Sequence, residues 1–187
     1  MRALSPAPNT AASAVMAYLR AKDENRPQLM RLAFDEAATL EMIVRTGTIS
    51  FPPLAQGREA ITDVLVRRFG QNYENVRTFC LARPPESSHV TFSCPWLVGM
   101  SEKESRSVRV GCGTYDWVFQ AGIPLLAQRL TITIEVMAVL APGSLTVVMG
   151  WMAQLPYPWR PGRTVLETIP TVAGLEGVQH WIAHGAL

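Results

Sequence analysis

At 187 residues the chain suits one domain with a core of useful size. Its hydrophobic content of 48% and charged content of 17% exclude a disordered chain. The net charge of +2 is spread along the sequence without a Lys/Arg block, which argues against a nucleic-acid partner.

Residues 1–9 read as a loose arm. Met1–Pro8 holds one Arg and two Pro but no apolar h-region, so it does not read as a signal peptide. Asn9 or Thr10 is placed to cap a helix running to about Lys22, with Val15, Tyr18 and Leu19 at helical spacing. Pro27 suits the first turn of a second short helix that turns Leu29, Leu32 and Ala33 inward. Ala38–Val44 reads as a strand, and Phe51-Pro52-Pro53-Leu54 as a rigid loop. Gly57 leads into a third helix with Ile61, Val64, Leu65 and Phe69 on its apolar face and Arg67 and Arg68 toward solvent. After Tyr73 the pattern changes to strands, expected over Val76–Ala82, His89–Met100, Val108–Phe119, Arg129–Leu140 and Leu145–Leu155. Residues 156–187 form an extension with a short helix around Leu175–His184. Helices first and a meander after predict an α+β fold, its helices packed on one face of a strongly curved antiparallel sheet.

From Leu130 to Trp159 the one charged residue is Glu135. Strict alternation puts Leu130, Ile132, Ile134, Val136 and Ala138 on one face, and Thr131, Thr133, Glu135, Met137 and Val139 on the other. Val148 and Met152 of the next expected strand would join the second face, making it too apolar to stay bare. The pattern predicts that a second copy of the chain covers it, giving a two-fold dimer through the sheet face. The alternative is that residues 156–187 fold back over it.

Cys80, Cys94 and Cys112 are odd in number and lack metal-ligand spacing, which predicts buried reduced thiols in a cytoplasmic protein. No uninterrupted apolar run approaches the length of a membrane span.

The run Val15–Ala21, then Leu29–Phe34, Ala38–Glu41 and Gly57–Ile61, with the later strand Gly113–Phe119, resembles the nuclear transport factor 2-like superfamily. That superfamily includes SnoaL-like polyketide cyclases and ketosteroid isomerases. The resemblance spans roughly residues 10–155 and implies a cone-shaped, cystatin-like fold in which helices close one end of a curled sheet over an apolar cavity. It implies for Tyr18 and Asp116 the roles of the isomerases' two oxyanion donors, a phenol and a carboxylic acid kept neutral by apolar surroundings. Val110, Cys112, Thr114 and Val118 share Asp116's strand face. Phe34, Met42, Phe69, Cys112 and Trp151 would line the pocket. Where the isomerases carry their general base this chain has Met42, and a thioether abstracts no proton.

Each candidate has a plainer role beside it. Tyr18 suits a core aromatic with a tied hydroxyl, and Asp116 a structural carboxylate bonded to backbone or to Arg129. His89 is a candidate base or an exposed turn residue. His180 and His184, four apart, lack a third ligand, so no metal is implied. The expected protein binds a small apolar molecule without a cofactor. Any chemistry would be isomerase-, cyclase- or dehydratase-like; the alternative is a non-catalytic carrier or scaffold subunit using its sheet face.

Overall fold

Thr10 opens the first helix with a reciprocal cap. Its Oγ1 accepts from the Ser13 amide (3.2 Å), and Ser13 Oγ accepts from the Thr10 amide (3.0 Å). The computed structural model describes residues 10–84 and 90–185; the expected arm at 1–9 and His89 lie outside the described residues. Helix α1 (Ala11–Asp23) is followed by a 3-10 helix (Pro27–Leu32) with proline in its first turn. Strands β1 (Phe34–Val44) and β2 (Leu54–Gln56) precede α2 (Arg58–Thr62), a π-helical stretch (Asp63–Arg68) and α3 (Phe69–Asn72), which run on without a break. Then come β3 (Tyr73–Cys80), β4 (Thr91–Glu102), β5 (Val108–Phe119) and β6 (Ala127–Leu140).

The sheet has six strands in the order β2-β1-β6-β5-β4-β3. All pairs are antiparallel except β1 with β6, which the long excursion through the helices brings together in parallel. A bulge bends the long β5–β6 pair: Cys112 faces Val136 but Gly113 faces Ile134, leaving Glu135 as the extra residue. Glycine is required there, because a Cβ on Gly113 would lie 1.9 Å from the Thr133 carbonyl oxygen. The bulge also corrects the expected alternation of β6. Leu130, Ile132 and Ile134 pack in one core with Met137, whereas Val136 and Ala138 pack on the other side of the sheet.

The apolar interior is accordingly divided in two. On the concave face α1 and the helix over residues 58–72 pack against the inward residues of β1, β4, β5 and β6. On the convex face Phe79, Leu97, Val108, Val110 and Cys112 are covered by the last three helices, α4 (Leu145–Gln154), α5 (Gly162–Thr168) and α6 (Glu176–Gly185).

The expected strand at Leu145–Leu155 is therefore helix α4. Thr146, Val147 and Gly150 are poor helix formers, but Leu145, Val148, Met149 and Met152 fall at helical spacing and pack on the convex face. Gly99 of β4 lets the helix come close: a Cβ there would stand 2.2 Å from Met152 Sδ. The apolar face that called for a second copy is thus dispersed: Met137 packs in the cone core, Val139 is exposed, and Val148 and Met152 belong to α4. Beyond the C-terminal helices the convex face is polar, with Asp116, Arg129 and Thr131 on it and the Thr131 hydroxyl donating to Glu41 (3.2 Å).

Residues 157–160 pass along the free edge of β3. The Cys80 amide donates to the Pro158 carbonyl (2.8 Å) and the Arg160 amide to the Cys80 carbonyl (3.0 Å). Among the described residues no helix is long and apolar enough to cross a membrane.

Candidate functional site

Residues 15, 18 and 22 fall on one face of α1, which turns Tyr18 and Lys22 into the cone with Val15. On β5, alternation points Tyr115, Trp117 and Phe119 the same way. Tyr18 meets three aromatic rings edge-on: Phe34 at 5.9 Å, Tyr115 at 5.8 Å and Trp117 at 5.5 Å between centroids. Trp96 stacks on Tyr115 at 5.5 Å.

These side chains surround an apolar cavity of about 40 Å³ lined by Met42, Phe69, Met100, Ile132, Ile134 and Met137, with Tyr18, Lys22, Trp96 and Tyr115 as its polar members. The space suits roughly three waters or one small polar group with its attached carbons. Three of the lining residues are methionines, whose unbranched side chains re-pack around an incoming molecule at low cost.

Every polar side chain that lines the cavity among the described residues carries a hydrogen-bond donor, and three of the four have a proton to spare. The Tyr18 and Tyr115 hydroxyls bond to each other, which uses one of their two protons. Burial pushes both phenols well above their ordinary range, so both stay protonated at neutral pH. The indole N–H of Trp96 is buried and has no acceptor among the described residues. Lys22, only 7% exposed, donates to Asp23 Oδ1 (2.9 Å) and Thr78 Oγ1 (2.5 Å) and lies 5.2 Å from the Phe69 ring centroid. An ammonium has three protons, so one is left for a further acceptor.

Asp23 is fully engaged. Its Oδ1 accepts from Lys22 Nζ and, at 2.8 Å, from Thr78 Oγ1. Its Oδ2 accepts from the Thr78 amide (2.7 Å) and the Tyr157 hydroxyl (3.2 Å). This carboxylate anchors the lysine and leaves no lone pair aimed at the cavity. Behind Tyr115, the Cys80 and Cys94 thiols are hydrogen-bonded to each other, and burial pushes the Cys80 thiol up.

The structure brings together some of the expected residues and separates others. Tyr18, Met42 and Phe69 line the cavity. Phe34 is buried in the same core but packs behind Tyr18 and Trp117, outside the lining. Asp116 is corrected: it stands exposed on the convex face, accepting from Ser93 Oγ at 2.5 Å, so it shares no space with Tyr18. Cys112 is on the convex side as well, under the C-terminal helices, where burial pushes its thiol up to about 12. Trp151 belongs to α4, and its indole N–H donates to Thr168 Oγ1 (3.1 Å), tying α4 to α5. Two site residues escaped the sequence reading. Tyr115 was signalled by the odd-numbered aromatic series 115, 117 and 119, a stronger inward face than the even-numbered Thr114, Asp116 and Val118. Lys22 was signalled by its place four residues after Tyr18 on the apolar stripe of α1.

A curled sheet closed by helices around a small, donor-lined cavity is the architecture of a cone-shaped α+β pocket protein. The chain has the nuclear transport factor 2-like fold. It is similar to hexachlorocyclohexane dehydrochlorinase (LinA) type 2, with 12% identity over 69% of this chain and 85% of that one at a TM-score of 0.55. It is similar to a nuclear transport factor 2-like superfamily protein from Salmonella enterica serovar Typhimurium, with 11% identity over 67% and 88% and a TM-score of 0.52. A ketosteroid isomerase-like protein from Erwinia carotovora atroseptica matches at 10% identity over 70% and 98%, with a TM-score of 0.50. No family model matches the sequence, and no curated protein matches it.

Proposed function

We propose that the chain binds a small apolar molecule bearing one acceptor oxygen, a ketone or its equivalent, inside the cone. One observation carries this: among the described residues, every polar side chain that lines an otherwise apolar cavity carries a donor, namely Tyr18, Tyr115, Lys22 and Trp96. An oxygen placed among them satisfies the spare protons, and the methionines and Phe69 close on its hydrocarbon body.

Binding without turnover is the form that this lining favours. The same fold occurs in proteins named as a dehydrochlorinase and as isomerase-like. Proton abstraction of that general kind needs a base at the substrate. By the sequence resemblance Met42 stands where the isomerases carry their base, and among the described residues Asp23 is saturated by four donors and Asp116 lies on the opposite face. Donors alone hold and polarise a carbonyl.

Methyl NMR of the methionines tests this directly. Cyclohexanone is expected to shift the methyl signals of Met42, Met100 and Met137 saturably, while methylenecyclohexane, the same shape without the oxygen, binds more weakly. Tyr18→Phe is expected to weaken cyclohexanone about three- to tenfold, the worth of one net hydrogen bond of roughly 0.5–1.5 kcal/mol. Equal affinity for the two probes, or no effect of the substitution, refutes a donor-based site.

A further inference from the structure

A hollow larger than the cone cavity lies outside the cone. A groove of about 480 Å³ runs between α1, the 3-10 helix and the loop joining β5 to β6. Its apolar wall comes from Met16 of α1, Leu29 and Leu32 of the 3-10 helix, and Ile123, Leu125 and Leu126 of the loop. The volume falls in the range of roughly 300–1,000 Å³ typical of small-molecule sites, and it is about twelvefold larger than the 40 Å³ cavity in the cone.

Two features make this a site rather than a surface irregularity. First, large apolar side chains are left in water around it: Leu32 is 49% exposed and Ile123 92% exposed. Ile123 is the most exposed of the chain's large aliphatic side chains among the described residues, and it shares the rim of this one groove with Leu32. Second, its charge is one-sided. Among the described residues its lining contains Arg20 and Arg31 and no acid. Arg20 is already held by Glu24 through hydrogen bonds of 3.0 and 3.3 Å. Arg31 has no ion-pair or side-chain hydrogen-bond partner among the described residues and stands exposed. An unpaired guanidinium beside an open aliphatic trough complements a hydrocarbon tail that ends in a carboxylate, which arginine takes with two parallel hydrogen bonds.

We infer that this groove binds a free, monomeric long-chain carboxylate, its alkyl chain against Met16, Leu29, Leu32 and Ile123 and its head on Arg31. The site is separate from the cone cavity: the two share no lining residue, and the groove faces the opposite side of α1 from Tyr18 and Lys22. It stands whether or not the cone binds a ketone.

Dodecanoate, titrated below its micelle concentration into the full chain carrying methyl-labelled methionine, tests the assignment. Saturable one-to-one binding is expected, with a shift of the Met16 methyl signal and none at Met42, Met100 or Met137. Dodecyltrimethylammonium, with the same tail and a cationic head, is expected to bind at least tenfold more weakly. Arg31→Glu is expected to weaken dodecanoate at least tenfold, and Leu32→Asp to abolish its binding; both positions are exposed, so circular dichroism should report an unchanged fold. Shifts confined to the cone methionines overturn the inference by assigning the acid to the other cavity. Equal binding of the two head groups overturns the role of Arg31. Sedimentation with phosphatidylglycerol vesicles but no response to monomeric dodecanoate overturns it in favour of a membrane surface.

Discussion

Tyr115 and Asp116 are neighbours in the chain and strangers in space. A strand sends successive side chains to opposite faces, so only one of the two can enter the cone. The phenol does, with Trp117 and Phe119, while the carboxylate meets solvent and Ser93. The chemistry of the cavity changes as a result: a neutral acid paired with a phenol is replaced by two phenols, an indole N–H and an ammonium. Asp116→Asn is therefore expected to change stability by no more than about 0.5 kcal/mol in a urea melt, as surface substitutions do, and to leave cyclohexanone affinity unaltered. A loss of several kcal/mol would mean that the carboxylate is buried after all.

Strand β5 was legible to the residue, Val108–Phe119, because its Gly-Cys-Gly-Thr-Tyr run alternates cleanly between turn signals. Helix α1 and the helix that follows Gly57 were equally plain from their apolar spacing. Helix α4 was not. Its Thr-Val-Val run and internal glycine carry strand propensity, and its helical form is decided by the convex face onto which it docks. Gly99 provides the seat, since its missing side chain leaves room for the Met152 thioether. Gly99→Ala is expected to cost about 1–3 kcal/mol by overpacking. In a Met152→Ala background the same change should cost distinctly less, because the atoms it strikes are gone. Denaturant melts of the two single variants and the double variant give this coupling; additive costs would show that α4 does not rest on Gly99.

The molecule as a whole keeps two apolar compartments on either side of one bent sheet, and it buries its titratable thiols and phenols between them. Burial raises Cys80, Cys112, Tyr18 and Tyr115 above their ordinary ranges. Each is neutral when protonated, so the folded state holds these protons at pH values where the unfolded chain releases them. Their stabilisation is full below the unfolded thiol value of about 8.5, and it declines as pH climbs through the unfolded phenol value of about 10 toward the folded values. Stability measured by thermal melts is expected to be flat with respect to these groups between pH 6 and 8 and to fall steadily above about pH 9. A constant midpoint up to pH 11 would show that these groups are hydrated in the folded chain.

Local periodicity was enough to name most of the elements, their order and the α+β class, because those features depend on side chains a few positions apart; the cone was what the resemblance implied. Which face becomes the inside depends on contacts across the whole chain. Tyr18 reaches Tyr115, and Tyr157 reaches Asp23 beneath Lys22, over separations that no window of sequence spans. The bulge at Glu135 reverses the alternation of β6 midway, sending Met137 into the cone and Val136 and Ala138 under the chain's own last helices. Those choices follow from how much apolar area each arrangement removes from water, a sum made only when all the elements are in place.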